Sequence, residues 1–122
     1  MLRIIHTADV HLGARHDDLG EQAAAQRERQ FAAFTATVDL AIAERVDLVL
    51  IAGDLFDHPR VGDATADRVI AELARLDQPT VIIPGNHDCI DDESIYKRVD
   101  LTSAGPHLHF VGDPAGAELI FE

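Results

Sequence analysis

Carboxylate, imidazole and carboxamide side chains recur in three short polar stretches of this chain: Asp9-Val10-His11, Gly53-Asp54-Leu55-Phe56-Asp57 and Gly85-Asn86-His87-Asp88. Oxygen and imidazole donors of this kind suit hard or borderline divalent cations better than thiolate-selected ones. Cations held in that way can activate water against a phosphoester. The signals differ in specificity. Asp-x-His occurs by chance in many proteins, Gly-Asp-x-x-Asp after a buried strand is more selective, and Gly-Asn-His-Asp is the most selective of the three. Any one of Asp9, Asp54 and Asn86 alone would more commonly be a turn or cap residue. The three together, each with a further acid or histidine beside it and in this order, point to a site.

Each motif follows an apolar, β-branched run, so each is expected in a loop at the end of a strand. The runs are Leu2–Ala8, Asp47–Ala52 and Pro79–Ile83. The second is almost continuously apolar, as strands of a buried parallel sheet are. Between the first two lies a helical stretch from about Glu21 to Arg45, with Phe31, Phe34, Val38, Ala41 and Ile42 at three- and four-residue steps facing a core. A second helix is expected over about Ala64–Leu76, with Val69, Ile70, Leu73 and Leu76 inward. The order β-α-β-α-β defines an α/β fold with right-handed crossovers. In such sheets ligands bind outside the carboxyl ends of the strands, where all three motifs fall. Further on, Asp91–Ser94 could cap a short helix, and Leu108–Val111 and Ala117–Phe121 read as two more strands.

Composition bounds the rest. A chain of 122 residues with 47% hydrophobic content can build a real core. No apolar stretch approaches a membrane span and the N-terminus lacks the features of a signal peptide, so the expected location is cytoplasmic, with no membrane partner. A single cysteine, Cys89, excludes an internal disulfide and a thiolate cluster, and it reads as a small filler. The formal charge of −12 argues against a broadly basic nucleic-acid surface, yet bound divalent cations would reverse the local potential, so a nucleic-acid substrate stays open. Arg outnumbers Lys nine to one, a bias that genome composition or a saline habitat produces as readily as function does. Of the other histidines, His6 is expected to be packed and hydrogen-bonded within the first strand. His16 and His58 fall in loops, where His58 and Arg60 are weaker candidates for substrate contact. His107 and His109 are expected on a surface strand face.

With these motifs the chain resembles the calcineurin-like metallophosphoesterases over essentially all of residues 1–113. His6-Thr7-Ala8-Asp9-Val10-His11-Leu12-Gly13, Ala52-Gly53-Asp54-Leu55-Phe56-Asp57 and Val81-Ile82-Ile83-Pro84-Gly85-Asn86-His87-Asp88 are most similar to the DNA-repair exonuclease branch, which contains the SbcD-type nuclease subunits. The resemblance implies the layered fold of that family, a β-sandwich flanked by helices. Residues 1–122 would form the N-terminal portion of the domain: the β-α-β-α-β part and the strands that follow it.

The resemblance also implies a site with two divalent metal ions, Mn foremost, with Fe, Zn and Mg as alternatives. Asp9 and His11 would hold the first ion, Asp54 would bridge, and Asn86 would bind the second. His87 would stand beside the leaving oxygen as the catalytic acid, and Asp57 could accept a hydrogen bond from it and fix its orientation. The family completes its site with a lone His and a Gly-His-x-His from later loops. Neither appears here: Gly105-Pro106-His107-Leu108-His109 comes too early and has Pro inserted. The chain is therefore expected to be a fragment with little or no activity alone. Implied partners of the parent are DNA and a coiled-coil, SMC-like ATPase, and a homodimer stays open. Two alternatives remain: a sibling phosphoesterase acting on a nucleotide, cyclic nucleotide or phosphoprotein, and a non-catalytic scaffold of the same fold.

Overall fold

The computed structural model describes residues 1–13, 17–57, 61–85, 95–97, 99–113 and 115–121. Four strands, β1 (Ile4–Thr7), β2 (Leu48–Ala52), β3 (Thr80–Ile83) and β4 (Leu108–Phe110), form one sheet in the order β1-β2-β3-β4. Every pairing is parallel. Helix α1 (Ala23–Ala43) joins β1 to β2, and α2 (Asp63–Leu73) joins β2 to β3. The α/β fold and its first five elements thus agree with the sequence periodicity.

The apolar stripes close one core. Phe34, Val38 and Ala41 of α1 meet Val49 and Ile51 of β2 and Leu73 of α2, all buried, around one common space, and Phe31 belongs to the same buried core. Ile42, expected inward, is 40% exposed, because it sits one position past the stripe that ends at Ala41. Helix α1 stops in a Schellman arrangement: the Val46 amide donates to the Ala41 carbonyl (3.3 Å) and the Arg45 amide to that of Ile42 (3.2 Å). Arg45 occupies the left-handed position at φ 50°, where glycine is usual. A second tie joins the two helices, since Arg68 of α2 grips Glu28 of α1 through two bonds of 2.9 and 3.1 Å and lies 4.1 Å over the Phe31 ring.

A sheet that grows steadily in one direction receives its right-handed crossovers on one face. The register fixes the other face: His6, Leu50, Val81 and His109 lie in a row across all four strands. Ile4 (45% exposed) and Ile83 (42% exposed) share that face. His6 is therefore exposed on it, contrary to the expectation of a packed histidine. His107 also departs from expectation, for it precedes β4 and its Nε2 donates to the Leu73 carbonyl (2.9 Å), tying the approach of β4 to the end of α2. The Ala117–Phe121 strand is not formed. That stretch pairs with no strand among the described residues, and its Phe121 ring rests edge-on against His109 at 5.2 Å. A strand without a ladder partner leaves its backbone to water. The short helix expected at Asp91–Ser94 lies outside the described residues; short 3-10 turns follow at Ile95–Lys97 and Leu101–Ala104. Among the described residues, no helix is long and apolar enough to cross a membrane.

Candidate metal centre

Register brings the motifs level. Thr7 pairs with Ile51 and Ala52 pairs with Ile83, so β1, β2 and β3 end side by side and their loops leave together. The first two loops then continue to pair beyond the sheet. The Asp9 amide donates to the Gly53 carbonyl (3.1 Å), His11 to Asp54 (2.9 Å) and Leu12 to Leu55 (2.9 Å), while the Asp57 amide returns a bond to Leu12 (2.9 Å). Leu12 and Phe56 form a parallel bridge. Leu12, Leu55 and Phe56 are fully buried, so three apolar side chains anchor both loops from below and leave the acids and His11 above.

The backbone at the polar positions is unusual. Asp9 (φ 55°), His11 (φ 54°) and Asp54 (φ 53°) all adopt left-handed conformations, a region that non-glycine residues rarely enter. Such conformations persist only where the surroundings impose them, and they gather at functional sites. Here they turn the three side chains toward one point: one donor atom each from Asp9, His11 and Asp54 lies within 4.8 Å of the other two. Two carboxylate oxygens and an imidazole nitrogen so gathered fit a divalent cation of the oxygen- and nitrogen-preferring kind. Asp9 is exposed, whereas Asp54 is buried to 8% exposure, as suits a carboxylate at the floor of the group.

Gly85 explains the depth of Asp54. A Cβ there would stand 2.4 Å from Asp54 Oδ1 and 2.6 Å from the Asp54 amide nitrogen. Only hydrogen on Gly85 lets the third loop begin directly against the second. The Gly53 amide donates to the Ile83 carbonyl (2.9 Å), which fixes that junction from the backbone side.

Asp9, His11 and Asp54 are thus brought together as the motifs suggest. Asp57 joins them at the edge, with Oδ1 3.2 Å from His11 Nδ1. That approach is within ion-pair range, although the ring N–H is not aligned for a hydrogen bond. Asn86 and His87 lie outside the described residues, as do Asp88, Cys89, His16, His58 and Arg60. The proximity of Asp57 to His11 was not legible in the motif itself.

The chain belongs to the calcineurin-like phosphoesterases, whose family model matches residues 2–117. Among curated proteins it is similar to the DNA double-strand break repair protein Mre11 of Aeropyrum pernix, 34% identical over 110 residues, which cover 86% of this chain and 26% of that protein. The Mre11 of Saccharolobus solfataricus is 37% identical over 92 residues, covering 72% of this chain and 23% of that protein. That of Haloferax volcanii is 34% identical over 122 residues, covering 94% of this chain and 27% of the relative. The chain thus spans about a quarter of the length of the curated relatives it matches.

Proposed function

We propose that residues 1–122 are the N-terminal, metal-binding part of a metal-dependent phosphodiesterase acting on DNA in double-strand break repair. The observation that carries this reading is the convergence of Asp9, His11 and Asp54 in left-handed backbone at the carboxyl edge of the sheet. The similarity to Mre11 proteins supplies the substrate class. Divalent ions bound there, Mn foremost, would acidify a water and neutralise charge building on phosphorus. Asp9 and His11 would hold one ion, Asp54 would share its two oxygens between two, and Asn86 would serve the second. His87 would donate a proton to the leaving oxygen, with Asp57 in reach to orient it. Histidines from later loops would complete the shell, so the 122 residues alone should turn over little substrate. In the cell we place the protein in the cytoplasm, with DNA and a coiled-coil ATPase as partners, and a homodimer is compatible with this reading.

A second reading, a phosphoesterase acting on a nucleotide or another small phosphoester, draws support from the net charge of −12. The test compares Mn-dependent nucleotide release from linear DNA with hydrolysis of a small phosphodiester by the full-length protein. DNA degradation that Asp54→Asn abolishes is expected, with a loss of at least about a hundredfold, as for removal of a group that acts in the transition state. Hydrolysis of the small ester alone would favour the second reading, and hydrolysis of neither would leave a scaffold.

A further inference from the structure

We infer that Asp57 is a positioning residue for His11: its carboxylate, beside Nδ1, sets the ring tautomer so that Nε2 is the nitrogen offered to a cation. The inference rests on the metal-site reading above and assigns Asp57 a role beyond the orientation of His87. Asp57 is itself fixed. Its amide is bonded to the Leu12 carbonyl at 2.9 Å, and its neighbour Phe56 is fully buried. From that anchor Oδ1 reaches to 3.2 Å of His11 Nδ1, both side chains being about two-thirds shielded from solvent, at 31% and 28% exposure. Asp57 stands outside the group of atoms that approach one another mutually, which comprises Asp9, His11 and Asp54. Its contact is with the ligand and not with the cation position.

An imidazole has two nitrogens, and the one that donates its proton to a neighbour determines which keeps the lone pair for a metal. A carboxylate this close to Nδ1 favours the Nδ1–H tautomer by its charge and makes Nε2 more basic. Partners of this kind change metal affinity by about ten- to a hundredfold when removed.

Two measurements on the full-length protein test this. In the first, Mn affinity is titrated for wild type, Asp57→Ala, His11→Ala and the double variant, with the same Asp57→Ala step repeated in a His87→Ala background. Asp57→Ala should weaken Mn binding about tenfold or more in the wild-type and His87→Ala backgrounds and have little effect once His11 is gone. An equal loss with and without His11 would overturn the inference, and so would a loss that vanishes only with His87. In the second, nitrogen NMR of the neutral His11 ring without added metal should show the Nδ1–H tautomer in wild type. That tautomer should give way to the solution preference in Asp57→Ala and persist in part in Asp57→Asn, whose amide oxygen still accepts. An unchanged tautomer in both variants would overturn the inference. Wild type that binds no Mn would sink the metal-site reading, and the ring tautomer would still decide whether Asp57 governs His11.

Discussion

Asp9, His11 and Asp54 form the candidate centre, and all three stand in unfavourable left-handed backbone. Among the described residues, four other than glycine have positive φ, and these are three of them. Each such conformation costs about 1–2 kcal/mol for an ordinary residue, less for Asp. The ladder of loop hydrogen bonds and the buried Leu12, Leu55 and Phe56 supply what holds them there. Gly85 is the complementary case, a residue defined by the atom it lacks. Gly85→Ala should drive a methyl into the Asp54 carboxylate and amide, and the backbone contact cannot relax by rotating a side chain. The expected outcome is a stability loss of about 1–3 kcal/mol in chemical denaturation together with weakened Mn binding. Unchanged stability and affinity would show that this junction is looser than its contacts imply. Residue types and spacing made the ligand candidates legible. Left-handed backbone and the His11–Asp57 contact were not, because both arise only when two loops separated by more than forty positions pair.

At the scale of elements, the two helices hold the strand ends level, and two features of them can be tested. Arg45 stands at the left-handed closing position of α1, with the amide bonds of a Schellman motif already formed around it. Arg45→Gly relieves the Cβ crowding there, and part of the gain is lost to the freer unfolded chain. A net stabilisation of up to about 1 kcal/mol, read as a higher melting temperature, is expected. The second feature is the Arg68–Glu28 clamp. The Arg68 guanidinium, bonded to Glu28 and attracted to its charge, holds the Glu28 carboxyl below its usual range and is itself raised. A depressed carboxylate contributes stability above its unfolded value, and that stability is lost as pH falls through the folded one. The contribution is therefore present at neutral pH and disappears below the ordinary Glu range. Melting curves between neutral and acid pH should show a slightly smaller acid loss in Glu28→Gln. Arg68→Ala should lower the melting temperature more than Glu28→Gln at neutral pH, since it also removes the stack on Phe31.

On the scale of the whole molecule, the progressive strand order places both helices on one side. The other face carries Ile4, Leu48, Leu50, Val81 and Ile83, and the Phe121 ring rests on it against His109. Parallel sheets are ordinarily covered on both faces, and contiguous apolar patches on a soluble surface are uncommon. The chain of 122 residues should bind a hydrophobic dye strongly. Ile4→Lys and Ile83→Lys, at the two most exposed positions, should reduce that signal while changing stability by no more than about 0.5 kcal/mol, as surface substitutions do. A wild-type chain that binds no dye would show the face to be covered. The same scale bears on the charge of −12: acidic groups gathered at the candidate centre favour cations there.

The sequence by itself determined the element types, the α/β class and the chemistry of the candidate ligands, since hydrophobic period, glycine placement and donor atoms are local properties. It misplaced Ile42, His6 and the Ala117–Phe121 strand, because burial and strand identity depend on what lies opposite. Tertiary structure decided that Thr7 meets Ile51 and Ala52 meets Ile83, and with that register it decided how the described residues of the centre meet. It set Asp9 beside Gly53, Asp54 against Gly85, and the Asp57 carboxylate at the ring of His11. Those juxtapositions follow from hydrogen-bond register between distant strands, which no single stretch of sequence encodes.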